Sequence, residues 1–151
     1  MTATLARWAS TAFVVAFAGC GTDGPPPTGR DGRTAIMLPV EARDAVLAEM
    51  RTMLGSVNAV LIAQTTGDTA AMRQAALASG TAAAADPALE PLLPEAWLKL
   101  AMATHQQFDG LARAVARPGG RDSTVERLAR ITGNCVACHA AYRVELARRP
   151  G

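Results

Sequence analysis

The sequence VERLARITGNCVACHAAYRVEL fills residues 125–146, close to the end of a chain of 151 residues. Apolar, small and reactive residues recur along it at alternating spacings of three and four: Val125, Leu128, Thr132, Cys135, His139, Tyr142 and Leu146. Such spacing is typical of one face of an amphipathic helix that packs in a bundle. Ser123 and Glu126 match the pattern of a capping box, which predicts that the helix begins just after Ser123.

Two thiols and an imidazole share this face, in the pentapeptide Cys135-Val136-Ala137-Cys138-His139. On a helix the three side chains span an arc of only about 100°, so all three lie on the same side and can contact one bound group. Cysteines at this spacing form thioether bonds with the vinyl groups of haem, and the adjacent histidine binds the iron as an axial ligand. We therefore predict one covalently bound haem c, with His139 as the metal ligand.

Two other uses of the pair Cys135 and Cys138 fit the sequence less well. A redox-active dithiol is expected between a strand and a helix of an α/β fold, and the sequence around the pair does not have that character. A zinc site would need a second pair of cysteines or histidines.

The third cysteine, Cys20, follows a segment with the features of an export signal. Arg7 supplies the short positive region, and residues 8–18 form an apolar stretch too short to span a bilayer. The sequence FAGC at residues 17–20 resembles a bacterial lipobox, in which the cysteine is acylated and becomes the first mature residue. We therefore predict a lipoprotein-type signal peptide over residues 1–19 and a periplasmic protein anchored to a membrane by lipid at Cys20. Cleavage by an ordinary signal peptidase, which would give a soluble periplasmic protein, is the alternative.

The segment after this signal has the composition of a linker. Residues 20–38 are rich in glycine, contain three consecutive prolines at residues 25–27, and lack apolar periodicity until Ile36. This composition predicts a flexible tether over residues 20–38. The folded domain is then expected over residues 39–151.

Three more helical segments are predicted before the cysteine-bearing helix. The first begins at Val40, the second has Asp68 as its N-cap and runs to about Ala85, and the third begins at Pro94. The expected core face of the first comprises Val40, Arg43, Leu47, Met50, Leu54, Val57 and Leu61, widened by Val46, Met53 and Val60. That of the third comprises Trp97, Ala101, Thr104, Phe108, Leu111 and Val115. With no convincing strand pair, the sequence predicts an all-α fold, an up-down-up-down four-helix bundle.

The core of such a bundle would be short of bulky side chains. Beyond the signal peptide, Trp97, Phe108 and Tyr142 are the aromatic residues of the chain. The faces of the second and fourth helices rely on Ala, Thr and Ser, which leave a void unless a bulky group fills it. The predicted haem is of a suitable size to fill it.

The nonapeptide CVACHAAYR, residues 135–143, resembles the motif CxxCHxx[FY]R of the cytochrome c′ family, which lies near the C-terminus of a four-helix bundle. An ordinary small cytochrome c has its CxxCH near the N-terminus. In the first helix, the family has an arginine followed by an apolar residue, a methionine and a glycine. The corresponding residues here are Arg43, Leu47, Met50 and Gly55. The resemblance extends from Pro39 to the end of the chain and implies a haem-binding bundle.

The resemblance also implies roles for individual residues. Arg43 would contact a haem propionate, Leu47 would cover the open face of the iron, and Met50 would lie beside the same pocket. Tyr142 and Arg143 follow the ligand by three and four residues, so they are expected beside it on the same helix, with Arg143 weakening the imidazole as a donor or contacting a propionate. The plainer alternatives are surface positions for the arginines and simple core packing for Leu47 and Met50.

With no side chain opposite His139, the haem would be five-coordinate and high-spin, under a small apolar pocket suited to NO and, more weakly, CO. This predicts a membrane-tethered c-type cytochrome that transfers electrons to a redox partner protein or binds such a gas. The sequence offers no general base, nucleophile or polar substrate pocket, so no enzyme activity is predicted. One alternative is a six-coordinate, low-spin electron carrier with Met50 or His105 as second ligand, although His105 is expected to be solvated. The other is a haem-free structural lipoprotein.

Charge argues against one class of partner. Fifteen Lys and Arg residues oppose 13 Asp and Glu residues, for a formal charge of +2, and the basic residues are scattered. A protein that binds nucleic acid through its phosphates carries a clustered basic excess, so no nucleic-acid partner is predicted. The wide apolar face of the first helix is compatible with a homodimer, which the family resemblance also implies.

Overall fold

The computed structural model describes residues 31–84 and 88–147. The predicted signal peptide, Cys20 and residues 20–30 of the predicted tether lie outside the described residues. Four helices account for most of the described chain, which confirms its predicted helical character. They are α1 (Val40–Thr66), α2 (Thr69–Leu77), α3 (Glu95–Val115) and α4 (Thr124–Ala141). Short 3-10 turns lie at Thr81–Ala83, Glu90–Leu92 and Gly120–Ser123.

Local signals set the junction between α1 and α2. Gly67 ends α1 in the left-handed conformation with a φ of 71°, which glycine adopts without strain. Asp68 caps α2 as predicted, because its carboxylate accepts a hydrogen bond from the backbone N–H of Ala71 at 2.9 Å. α2 ends at Leu77, earlier than the predicted end near Ala85.

The start of α4 departs from the predicted capping box. Ser123 is the N-cap residue, but its hydroxyl makes no capping hydrogen bond. It donates instead to the carbonyl oxygen of Gly120 at 3.0 Å and accepts from Nε of Arg127 at 3.0 Å. The 3-10 turn that leads into α4 therefore uses the hydroxyl that a capping box would need.

The described chain also contains a strand pair, which the sequence did not predict. Thr34–Leu38 (β1) pairs in parallel with Tyr142–Leu146 (β2). β1 is part of the compact unit that begins at Gly32, so residues 34–38 are not part of a flexible tether. At the other end, α4 stops at Ala141 and does not continue to Leu146. Five-residue strands that pair from opposite ends of a chain leave too short a periodicity to be recognised in sequence.

Apolar side chains form two buried clusters. One surrounds Phe108 and joins all four helices, with Val60, Met72, Leu111, Leu128 and Ile131 among its members. The other surrounds Trp97 and includes Ile36 and Leu38 of β1 with Ala42 and Val46 of α1. The clusters draw on Val46 and Val60, which were predicted at the side of the core face of α1, so the buried face is rotated toward that side. Val40, Leu54 and Leu61 are exposed instead.

Val125 of α4, another predicted core residue, is likewise exposed, and its neighbour Thr124 is buried instead. Leu128 is buried as predicted. By length and composition alone α1 could cross a membrane, a property that core helices of soluble bundles share.

Packing between the helices leaves one gap. α1 packs on α2, α2 on α3, and α3 on α4, whereas α1 and α4 have few direct contacts. The space between α1 and α4 is where the candidate site lies. The up-down-up-down order of the helices stays a prediction.

Candidate cofactor cavity

A largely apolar cavity of about 370 Å³ opens between α1, α3 and α4. A volume of this size is within the range of sites that hold organic ligands and cofactors. Its apolar walls include Leu47, Met50, Met53, Leu54 and Val57 from α1, and Trp97, Leu100, Ala101 and Phe108 from α3. The side chains of α4 that reach it include Thr132, Asn134, Cys135, Cys138 and His139. A void is therefore present and lies beside the CxxCH motif, although α2, whose small residues were expected to contribute to it, does not line it.

The three reactive side chains of α4 line this cavity together. α4 is unbroken through Cys135, Cys138 and His139, so the helical arc presents all three to the same space. Both thiols are free and partly buried. Burial raises the pKa of the Cys135 thiol and that of Cys138, where the neighbouring Cys135 adds to the effect. Both sulfurs therefore remain protonated thiols at neutral pH.

A raised thiol pKa is the opposite of what a redox-active dithiol needs, since such a pair depends on a readily formed thiolate. Among residues 31–84 and 88–147, no three His, Cys, Asp or Glu side chains are grouped so as to hold a metal ion. A single imidazole beside two thiols is the donor set that covalent haem attachment uses.

The predicted lining residues of α1 and α3 are brought to the cavity. Leu47 and Met50 lie on the α1 wall. Trp97 and Phe108 both belong to buried clusters and line the cavity as well, so they serve core packing and the cavity wall together.

Arg43 is not among the residues that line the cavity. Its guanidinium forms an ion pair with Oδ1 of Asp44 at 3.0 Å. Arg51, two turns further along α1, lines the cavity instead, and it has no hydrogen bond or ion pair within the described part of the chain. Sequence reasoning missed it, although Arg51 falls between Leu47 and Leu54 at spacings of four and three.

Tyr142 and Arg143 do not share a helical face with His139, because both lie on β2. Nε of Arg143 donates to a carboxylate oxygen of Glu145 at 2.5 Å. Nη1 of Arg143 donates to the carbonyl oxygen of Arg33 at 2.7 Å. Tyr142 packs beside the Trp97 cluster. The prediction that these two residues flank the ligand on a helix is wrong, because the helix ends before them.

His105 is buried, with 2% of its surface exposed, and the predicted solvated position is wrong. Its Nδ1 lies 3.0 Å from the carbonyl oxygen of Ser79, and its Nε2 lies 3.0 Å from Oε1 of Glu49. With both ring nitrogens engaged, neither is available to bind a metal ion. The signal was present in the sequence, because Ala101, His105 and Phe108 follow the spacing of a helix face.

The hydrogen bonds of His105 determine where its protons lie. A carbonyl oxygen can only accept, so Nδ1 carries a hydrogen toward Ser79. Burial alone lowers the pKa of His105, but the hydrogen bonds to Glu49 and Ser79 and the negative charge of Glu49 outweigh it. The pKa of His105 is therefore raised above its ordinary value. Glu49 is the member of the pair that lines the cavity, and through it His105 is connected to the cavity wall.

Known proteins add nothing to this picture. Comparison of the chain with models of protein families, with curated proteins and with solved structures found no match. A function for the protein therefore has to be argued from the cavity and from the side chains that line it.

Proposed function

We propose that this protein is a c-type cytochrome, tethered to the periplasmic side of a membrane through Cys20, with one haem bound covalently in the cavity. The observation that carries the proposal is that Cys135, Cys138 and His139 line the same largely apolar space between α1, α3 and α4. Cys135 and Cys138 would form the thioether bonds, and His139 would bind the iron. Bound there, haem supplies a one-electron redox centre and an iron that can bind a diatomic gas.

The donor set and the cavity both fit this group. Addition of each thiol S–H across a vinyl double bond forms one carbon–sulfur bond and places the hydrogen on the other vinyl carbon, so no external oxidant is needed. The apolar side chains around the motif suit a macrocycle with a hydrophobic face, and protein interiors seldom leave such a volume unfilled. The few contacts between α1 and α4 are consistent with a group that occupies the space between these helices.

The wall supplied by α1 supports a five-coordinate iron. Leu47, Leu54 and Val57 have no donor atoms, and both nitrogens of His105 are held by other groups. The thioethers of Met50 and Met53 are the neutral donors that remain on this wall. A small apolar pocket of this kind favours uncharged diatomic ligands such as NO and CO. The proposed role is electron transfer with a redox partner protein, gas binding, or both.

A six-coordinate, low-spin carrier is the second candidate, because the thioether of Met50 lies on the cavity wall.

For the fold, we propose that the four helices follow an up-down-up-down order in one bundle. Exposed apolar residues of α1 that do not line the cavity, among them Leu61 and Ile62, are compatible with the proposed homodimer.

The test is expression of the full chain in a host with the cytochrome c maturation machinery. We expect an increase of one haem in the intact mass, which persists after denaturation, and CO binding to the reduced protein. Cys138→Ala should lose one of the two thioether bonds, while Cys20→Ser, as the matched control, should keep the haem and release the protein from the membrane. A colourless wild-type protein would contradict the proposal.

Spin state decides between the two coordination states. A high-spin oxidised spectrum with CO uptake after reduction supports the open site. A low-spin spectrum without CO uptake would overturn it, and recovery of CO binding in Met50→Leu would then identify the second ligand.

A further inference from the structure

Glu49, on the wall of the cavity, forms an acid–base pair with the buried His105, and we infer that this pair takes up a proton when the protein is reduced. The inference rests on the proposed function, because it requires a redox centre in the cavity. It would make the protein a carrier whose electron transfer is coupled to proton binding.

The pair links two helices at the cavity. Glu49 reaches from α1, with 27% of its side chain exposed, and His105 reaches from α3 with 2% exposed. The Nε2–Oε1 distance of 3.0 Å is that of an N–H···O hydrogen bond. Because Nδ1 already donates to Ser79, the variable proton is the one between Nε2 and the carboxylate.

The turn after α2 holds the imidazole in place. The hydroxyl of Ser79 is hydrogen-bonded to that of Ser56 on α1 at 2.8 Å, and both are buried. At Gly80 a Cβ atom would lie 2.1 Å from Oδ1 of Asp109, so the backbone there is packed directly against α3. His105 therefore cannot turn away from Glu49 without disturbing buried contacts on three elements.

A second carboxylate near the pair, that of Asp109, favours the protonated form of His105. Asp109, one turn beyond His105 on α3, accepts hydrogen bonds from the hydroxyl and the backbone N–H of Thr81. The hydroxyl bond is the main reason that the pKa of Asp109 is lowered, with Arg113 and His105 contributing as charges. Asp109 is thus a stable negative charge on the same helix.

The cavity presents further groups to the pair from its other walls. Arg51 of α1 brings a positive charge, and α4 brings Cys135, Cys138 and His139, which are engaged with the haem in the proposed protein. The turn after α2 presents backbone groups of Ser79 and Gly80. Glu49 promotes protonation of His105 through its hydrogen bond and its charge, and the charges of Asp109 and protonated His105 attract each other.

Reduction changes this balance by one charge. One electron arrives from the redox partner and adds a negative charge within the cavity, where low polarity strengthens charge interactions. The affinity of the pair for a proton then rises, and one proton from solvent binds to Nε2 of His105. The partly exposed Glu49 carboxylate is its route from water. Oxidation returns the electron and releases the proton.

The test is the midpoint potential of the haem-loaded full chain between pH 5 and pH 9. Where the oxidised pair has lost its proton and the reduced pair has not, we expect the potential to fall by up to about 59 mV per pH unit. Glu49→Gln keeps the size of the side chain but not its charge and should lose most of this slope. Glu126→Gln, which removes an exposed carboxylate paired with Arg130 on α4, is the matched control and should keep it.

Proton uptake and NMR provide measurements that do not depend on the variants. On reduction in weakly buffered solution, the wild-type protein should take up protons from the solvent. The uptake should approach about one proton per electron in the pH range where the oxidised pair has lost its proton and the reduced pair has not. With ¹⁵N-labelled histidine, the His105 signal should show a larger protonated fraction in the reduced state.

Three results would overturn the inference while leaving the proposed function intact: a haem-loaded protein whose potential does not vary with pH, the same slope in Glu49→Gln as in the wild type, or an unchanged His105 signal on reduction. A protein without haem would contradict the proposed function itself.

Discussion

The guanidinium of Arg33 donates a hydrogen bond to the carbonyl oxygen of His139 at 3.4 Å, which brings the residue before β1 into contact with the last turn of α4. The parallel pairing continues this contact from Thr34 opposite Tyr142 to Leu38 opposite Leu146. The N-terminal end of the folded unit is therefore attached directly behind the proposed iron ligand. The position of His139 depends on this strand pair as well as on α4.

The buried face of β1 should contribute strongly to stability. Leu38 is fully buried, whereas its neighbour Met37 points to the other face of the strand and is half exposed. Leu38→Ala is expected to lower the free energy of unfolding by about 2–5 kcal/mol, because it leaves a cavity in the Trp97 cluster. Met37→Ala, the control on the same strand, should change it by less than about 0.5 kcal/mol. Denaturant titration measures both, and equal effects would mean that β1 does not pack as described.

Two glycines should respond in opposite directions to the same substitution. Gly80→Ala places a Cβ atom 2.1 Å from Oδ1 of Asp109 and is expected to cost roughly 1–3 kcal/mol of stability. Gly55, within α1, has open space around the corresponding position. Gly55→Ala should therefore stabilise the protein by about 0.5–1 kcal/mol through helix propensity. Thermal unfolding compares the two variants with the wild type. A Gly80→Ala variant more stable than Gly55→Ala would contradict this packing.

Stability should fall as the pH rises through the pKa of His105 in the folded protein. The raised pKa of His105 means that folding favours the protonated ring. Its contribution is complete below the ordinary histidine pKa and is lost as the pH climbs through the folded value. Unfolding free energies between pH 5.5 and pH 8 should show this decrease in the wild type and a smaller one in His105→Gln. A wild-type stability that rises with pH across that range would contradict the assignment.

Arg51 should affect the redox potential more than Arg43 does. Arg51 lines the cavity, and no described residue neutralises it, whereas Arg43 is paired with Asp44. Removal of a positive charge near the redox centre favours the oxidised form, so Arg51→Gln should lower the midpoint potential by roughly 20–60 mV. Arg43→Gln is the control on the same helix. Spectroelectrochemical titration of the haem-loaded proteins measures both shifts. A larger shift in Arg43→Gln than in Arg51→Gln would contradict this prediction and indicate that Arg43 is the arginine closer to the proposed haem.

Several features of the protein follow from its sequence alone because they depend on neighbours along the chain. The spacing of three and four residues predicts the helices, and Asp68 caps α2 through a contact that spans only three residues. Cys135, Cys138 and His139 share a face because any continuous helix must place them there. The sequence also predicted a void in the bundle, and a cavity does lie beside α4.

Other features required the tertiary structure because their partners are distant in sequence. Thr34–Leu38 is a strand only because Tyr142–Leu146 lies beside it, and by itself a five-residue segment is too short to show a strand's periodicity. The buried face of α1 passes through Val46 and Val60 because α2 and β1 pack there, which exposes Leu54. His105 is buried because Glu49 and Ser79, from two other elements, take both of its nitrogens. Hydrogen-bond partners of this kind are set by the way that helices pack, and spacing along one helix carries no information about them.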